Sequence, residues 1–396
     1  MAKFIKNNLC RLFRGGMEIN MGEIKVFDVK TKKQRKEFVE FPLRMYKDCP
    51  YFVPPLYGDE MQMFTDKNAY ANTCESVFFL AEKDGKTVGR IQGILQKQSN
   101  EIHNEKRLRF TRFDAIDDLD VAKALFSAIE TWGRAKGLDT VCGPLGYSDL
   151  EREGLLIEGF DQLSTFEEQY NYDYYPALIE GCGYLKEIDW LESQLRAPKE
   201  KNIMLERVAE RALELSKLHV VDPDSMSKKE YISKYKDGVF ECIDLCYRHL
   251  YGTVPFTEEM KTQIIDQFML VINKKYLIII CDENDKVVSF ALCIPGFGES
   301  LQKSGGRLTP TALLKLLKLV KKPRVVDLAL VAILPEYQSA GVNAVMLHKM
   351  TEYLESGEID YFETNLNLET NTQVLAQWKY FDQKQHKRRR SYVKMI

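Results

Sequence analysis

The chain has 396 residues, 45% of them apolar and 29% charged, with a formal net charge of −2 at pH 7. This balance excludes a disordered chain and any global field that would draw it to nucleic acid or an anionic membrane, and the length exceeds what one hydrophobic core usually organises. Nine scattered cysteines, an odd number set mostly in apolar stretches, imply no disulfide framework and point to a reducing, cytoplasmic setting.

Residues 1–21 carry Lys3, Lys6, Arg11 and Arg14 around short apolar clusters, without the continuous apolar core of a secretory signal, and are expected to be a flexible extension. One order of elements then runs twice. In the first half a short strand at 24–27 and helix-period sequence at 32–48 precede the hairpin SVFFLAEKDGKTVGRIQGILQ, which turns at Asp84-Gly85. Strand, helix, strand, helix and strand follow in RLRFTRFDAI, DVAKALFSAIETWGRAKG, DTVCG, YYPALIEGCG and YLKEIDW. In the second half, helical sequence in KEYISKYKDGVFECIDLCYRHL and TEEMKTQIIDQFMLVIN precedes the hairpin KYLIIICDENDKVVSFALCIP. The same five elements recur in RVVDLALVAIL, GVNAVMLHKMTEYLES, IDYFETN, TQVLAQWKYF and KRRRSYVKM. The repeat predicts two tandem α/β domains with mixed central sheets, at 22–195 and 215–396, joined by a linker at 196–214 that includes APKEKN and a helical stretch.

Two stretches break the symmetry. Residues 308–323 insert a basic amphipathic helix, expected to pack on its own domain, with membrane contact as the alternative. Residues 143–176 concentrate Tyr, Phe and carboxylates between glycine turns, and Tyr147, Glu153, Tyr170 and Tyr174 are the candidate contacts for a small-molecule amine or peptide-like acceptor, a packing loop being the alternative. The apolar run at 276–280 is strand-sized, so no transmembrane segment is expected. Cys242, Cys246 and His249 would share a helix face and read as core rather than as metal ligands. The basic run 387–390 reads as a solvated strand edge, with no nucleic-acid site.

Chemistry concentrates in LALVAILPEYQSAGVNAVML, where an apolar strand meets a helix through Pro335, Tyr337, Gln338 and Gly341. Such a step converges backbone N–H groups and a helix N-terminus on one point, where a diphosphate is stabilised. Gly341 lets the backbone approach the ligand, and Gly341→Val is expected to weaken binding without unfolding the protein if φ there is negative. These residues resemble the GNAT acetyltransferase superfamily, whose motif reads hydrophobic-x-Pro-x-Tyr-(Gln/Arg)-x-x-Gly-x-(Gly/Ala). Ile333, Pro335, Tyr337, Gln338 and Gly341 match it, while Asn343 stands where Gly or Ala is usual.

The resemblance implies acetyl-CoA or another acyl-CoA as co-substrate, held by Gln338, Ser339, Ala340, Gly341, Val342 and Asn343. It also implies a splayed strand at Leu330, Val331, Ala332 and Ile333 that offers a backbone N–H to the thioester carbonyl, and a helix opened by Asn371. Where the superfamily's thiolate-protonating tyrosine is expected stands Trp378, so the candidate donor to the coenzyme sulfur is Tyr380, two residues on and about 200° around a regular helix, or an ordered water. Asp327 and Glu363 are the candidate bases. The first copy reads DAIDDLDVAKALF, with no glycine and carboxylates at the helix start, and is expected to be a degenerate domain without coenzyme. The wider likeness, over most of 22–396, is to the YghO-like group of bacterial tandem acetyltransferase-fold proteins. Two functions stand open: an acyl-CoA-dependent N-acyltransferase, or a non-catalytic protein that binds acyl-CoA or another small ligand.

Overall fold

Asp84 and Gly85 both adopt positive φ, +52° and +71°, the conformation a two-residue hairpin turn needs to match the twist of its strands. They join β3 (Cys74–Lys83) to β4 (Lys86–Gln96) at the centre of the first of two units. The computed structural model describes residues 18–21 and 24–396. Most of the expected flexible extension lies outside the described residues, but Glu18–Met21 form a strand, β1, paired antiparallel with β2 (Ile24–Asp28).

Unit 1 continues with α1 (Lys32–Met45), closed by a Thr31–Gln34 capping box, and α2 (Tyr57–Gln62) before the hairpin. After it come α3 (Lys97–His103), β5 (Arg107–Ala115), α4 (Leu119–Ala135), β6 (Thr140–Gly143), β7 (Leu155–Glu158) and α5 (Tyr175–Gly181). Strands β2 to β5 pair antiparallel in sequence order, β5 pairs parallel with β6, and α4 buries Val121, Leu125 and Ile129 in the core. The strand β8 (Leu185–Arg196) leaves this unit at 189.

Unit 2 runs from Trp190 to Arg388. It holds the end of β8, α6 (Ile203–Leu215), β9 (His219–Val220), α7 (Lys228–Tyr247), α8 (Glu258–Met269), β10 (Leu277–Cys281) and β11 (Val287–Pro295). Then follow α9 (Glu299–Gln302), α10 (Pro310–Lys321), β12 (Val325–Ile333), α11 (Val342–Glu355), β13 (Tyr361–Thr364), β14 (Asn367–Leu368), α12 (Thr372–Leu375) and β15 (Asp382–Met395). Strands β9 to β12 pair antiparallel and β12 pairs parallel with β13, the same order of directions as in unit 1.

The final strands differ from the expected division. The end of β8 pairs with β13 in unit 2, and the end of β15 pairs with β6 in unit 1, so each half of the chain completes the sheet of the other. Strand partners are set by non-local contacts that a local pattern does not encode. The chain thus passes from unit 1 to unit 2 at 189/190 and returns to unit 1 at 388/389, and the helical stretch of the expected linker is α6, whose buried Leu205, Ala209 and Ala212 face α11. The basic run is no solvated edge either, since Lys387 and Arg389 are fully buried.

Candidate functional site

Strands β12 and β13 are paired only through Val325–Leu328 and Tyr361–Thr364. Beyond them β12 bulges opposite Leu292/Cys293 and continues along β11 alone. In that register Val331 turns its peptide N–H and C=O away from β11, and both must find other partners. The Tyr247 hydroxyl serves both: it donates to the Val331 carbonyl at 2.9 Å and accepts from the Val331 N–H at 3.1 Å. The Ile333 carbonyl accepts from Gln338 Nε2 at 3.1 Å and lies 3.2 Å from Cys246 Sγ. Val331 itself is 43% exposed on an interior strand, while Ala332 is buried and Leu330 is half-buried.

The chain leaves β12 through a 3₁₀ turn, Pro335–Tyr337, and enters α11 at Gly341, whose φ is +79°. That positive φ corrects the expectation for Gly341→Val: a side chain there is strained, although a Cβ would meet only Val208 and Ala212 of α6 at 3.5 Å. No side chain caps α11, and the N–H groups of Gly341, Val342 and Asn343 have no partner among the described residues. The other long helices are closed by Thr31, Asp118, Asn202, Ser227, Thr257 and Thr309. Gln338 and Ser339 are exposed and Ala340 is half-buried, so the open N-terminus faces accessible space. Arg207 and Arg211, each one residue before a contact of Gly341, are exposed and form no ion pair among the described residues.

The candidate bases lie side by side, Asp327 on β12 and Glu363 on β13, and both are buried. His386 Nε2 lies 2.5 Å and Lys387 Nζ 2.9 Å from Glu363 Oε1, and the same ammonium lies 2.7 Å from Glu192. Burial, reinforced by Glu363 and Asp327, pushes the Tyr361 phenol upward. His386 and Lys387 escaped the sequence reading, because their only local signal was a basic strand.

Asn371 caps α12 by accepting from the Val374 N–H at 3.3 Å. The helix lasts one turn and tightens to 3₁₀ over Ala376–Tyr380, so Tyr380 is about 240° around from Trp378 rather than 200°. Buried Trp378 donates from Nε1 to Asn367 at 2.7 Å. Tyr380 lies under the Lys379 ammonium, 5.4 Å from the ring centroid, and forms no hydrogen bond with β12 or the 335–341 loop among the described residues.

Unit 1 has the corresponding bulge in β5, where Arg112 takes φ +48°. There the gap is filled by chain. Leu145 N–H donates to the Phe110 carbonyl at 2.8 Å, the Tyr174 hydroxyl to the Ala115 carbonyl at 2.8 Å, and Gln169 Nε2 to the Phe113 carbonyl at 3.4 Å. A residual cavity of about 20 Å³, water-sized, is lined by Glu60, Arg112, Glu151, Arg152 and Tyr170 among others. Arg112 meets Glu60 at 2.8 Å and Arg90 meets Asp114 at 2.8 Å, all four carried on or beside the gap. Of the four candidate acceptor contacts only Tyr170 lines this cavity. Tyr147 is buried, stacked on Tyr70 and hydrogen-bonded to Gln92, Tyr174 serves β5, and Glu153 is a buried carboxyl pushed well upward by desolvation and then by Asp149. At the start of α4 Asp118 caps the helix and pairs with Lys83 at 3.0 Å, occupying that N-terminus with the protein's own charge.

For metals, α7 ends before His249, and Cys242 and Cys246 point at backbone carbonyls. His219, Cys281 and Asp285 place one ligand atom each within 4.8 Å of one another, but Asp285 is already engaged by Lys234 and by the Tyr235 hydroxyl.

No family model matches the sequence. Among solved structures the chain is similar to a tandem GNAT protein from the clavulanic acid biosynthesis pathway, with TM-score 0.53 and 11% identity over 94% of this chain and 98% of that one. It is also similar to the GCN5-related glucosamine N-acetyltransferase region of a fungal multi-domain β-N-acetylglucosaminidase, with TM-score 0.54 and 11% identity over 95% of this chain and 38% of that one. The architecture is therefore the mixed α/β fold of tandem GNAT acetyltransferases. In sequence the chain is similar to Protein YghO of Escherichia coli strain K12, 27% identical over 92% of this chain and 94% of that protein. It is also 26% identical to the bacterial ceramide synthase of Caulobacter vibrioides, over 74% of this chain and 76% of that protein. No described helix is long and apolar enough to cross a membrane.

Proposed function

We propose that unit 2 is an acyl-CoA-dependent N-acyltransferase whose acceptor is the amine of a lipid-like molecule. The observation that carries this reading is the Val331 peptide group, turned into the β12/β13 gap and met only by a hydroxyl that a ligand can replace. A thioester carbonyl on the Val331 N–H would be polarised where negative charge develops during attack, the arrangement in which one backbone donor matters most. The uncapped N–H groups of Gly341, Val342 and Asn343, next to Gln338, Ser339 and Ala340, suit the coenzyme diphosphate, and Arg207 and Arg211 add unpaired cationic charge beside them. Both bear on whether the fold can hold acyl-CoA, and both favour it.

In this reading a C–N bond forms between the acceptor amine and the acyl carbon, the C–S bond breaks, and the thiolate leaves. Glu363 takes the ammonium proton, held between His386 and Lys387, with Asp327 beside it on β12. Trp378 is committed to Asn367 and Tyr380 has no hydrogen bond toward the gap, so water is assigned the protonation of the thiolate, a fair leaving group near neutral pH. The lipid-like acceptor rests on the relative named for ceramide, itself an amide. The competing reading, a binding protein without turnover, draws its support from Trp378.

Val331→Pro separates the two, because it deletes a donor that β11 does not use. Turnover, followed as CoA thiol release from acyl-CoAs with long-chain amines, is expected to fall about 100-fold or more, with the thermal midpoint retained. Equal turnover in a folded Val331→Pro protein would remove Val331 from the reaction. Tight acyl-CoA binding without thiol release across amines and peptides would establish the binder.

A further inference from the structure

The stretch leading into β12 carries one sign of charge. Between Glu299 and Asp327 there is no acidic residue but seven lysines and arginines, in a chain whose net charge is −2. Within it α10 has two apolar faces. Ala312, Leu316 and Val320, spaced i, i+4 and i+8, are buried and fix the helix to its unit. Leu314 and Leu317, 69% and 43% exposed, point outward, and Leu308, 45% exposed, stands just before the helix.

At 100° per residue Lys315, Lys318 and Lys321 share the outward face with these leucines. They form no ion pair among the described residues, whereas Arg324, just after the helix, pairs with Asp360. A single exposed leucine is ordinary; leucines among unpaired lysines on a rigidly held helix are the pattern of an element that lies in a membrane interface.

We propose that α10 docks unit 2 onto an anionic lipid bilayer, its outward leucines entering the acyl boundary and its lysines meeting headgroup phosphates. Charge complementarity selects the bilayer over a second copy of this chain, which would set lysine against lysine. A protein partner is less well matched, since the outward leucines offer far less than the roughly 800 Å² per partner of a stable protein interface. The helix joins β12 through Pro323, so the docking face belongs to the end of β12 opposite the 335–341 loop. This inference stands apart from the catalytic reading.

The test is co-sedimentation of the full chain with phosphatidylcholine vesicles, with and without phosphatidylglycerol. Binding is expected to require the anionic lipid and to weaken with salt. Leu314→Glu/Leu317→Glu changes only exposed positions and should lower vesicle affinity about tenfold or more at an unchanged thermal midpoint. Lys315→Gln/Lys318→Gln/Lys321→Gln should cost about fivefold per charge and flatten the salt dependence. Failure of the full chain to bind anionic vesicles, or equal binding by the leucine double variant, overturns the proposal. Retention on polyglutamate without vesicle binding overturns it too, and assigns the face to an acidic protein.

Discussion

Each unit has a strand that bulges and parts from its parallel neighbour, β5 from β6 beyond Arg109 and Cys142, and β12 from β13 beyond Leu328 and Thr364. The peptide groups so released are treated in opposite ways. In unit 1 they are bound by Leu145, Gln169, Tyr174 and Tyr175 from the 143–176 segment and the helix that follows it, with Arg112, Glu60, Arg90 and Asp114 packed alongside. In unit 2 the Val331 group meets one hydroxyl. The helix that follows each strand repeats the contrast, since α4 is capped by Asp118 and α11 has no cap. Ligand capacity on a repeated fold is thus a matter of which orphan groups the chain satisfies by itself. A gap closed by its own hydrogen bonds gains stability, and one left to exchangeable partners keeps the ability to bind.

The sharpest way to break this comparison is to attack the filled gap. Arg112→Ala would leave Glu60 buried without its guanidinium and is expected to cost about 3–5 kcal/mol of stability, read by denaturant unfolding. The same pair predicts an acid limb. Arg112 draws the Glu60 pKa down to about 2 against burial, which alone would raise it. The unfolded chain therefore binds the proton first as pH falls. The stabilisation is complete above the ordinary carboxylate range near 4.5 and is lost between that value and pH 2, at most about 3 kcal/mol for this group. Glu60→Gln should be less stable near neutrality and flatter in acid. A filled gap that tolerated Arg112→Ala without loss would mean that the ion pairs do not hold it shut.

The open gap is probed by Ser339→Asp. Ser339 is exposed beside the uncapped start of α11, so the added carboxylate meets a favourable helix dipole and should leave the thermal midpoint level or slightly raised. The same charge repels a diphosphate, and CoA affinity by calorimetry is expected to fall about tenfold, a change of roughly 1.4 kcal/mol. Opposite signs for stability and affinity at one position would distinguish a binding site from a structural turn. Unchanged affinity would detach the loop from the coenzyme.

Much of this was legible in the sequence where the cause is local. The Asp84-Gly85 turn, the 335–341 step and the carboxylates before α4 act through their own backbone, and the fold class followed from the order of elements that runs twice. What stayed hidden depends on partners far along the chain. The helical stretch in the 196–214 linker is legible, but its packing is not, because the buried stripe of α6 includes the small Ala209 and Ala212, which give a weak apolar signal until α11 lies against them. The pairing of β8 with β13 and the burial of Lys387 against Glu192 join positions more than 150 apart, and they set the place where His386 and Lys387 meet Glu363. No spacing rule reaches that far. Tyr147, Tyr170 and Tyr174 were chosen as ligand contacts for their chemistry, and the same rings with hydroxyls suit a polar interior just as well.

The smallest expected effect bears most directly on why one gap stays open. The Tyr247 hydroxyl stands where the thioester carbonyl would accept from the Val331 N–H, accepting from that N–H itself and donating to the Val331 carbonyl. Tyr247→Phe keeps the ring and removes both bonds. Because Val331 is partly exposed, water can take up much of what is lost, and the stability cost should be about 1 kcal/mol or less. An acyl-CoA entering the mutant no longer displaces a protein hydrogen bond, so its affinity should rise by up to about fivefold, the same free energy with its sign reversed. Free CoA, which carries no acyl carbonyl, should gain less than the acyl thioester. If Tyr247→Phe instead weakens acyl-CoA binding, the hydroxyl is a contact of the bound ligand rather than its stand-in. The two readings then part on a single comparison, since a stand-in improves binding when removed and a contact never does.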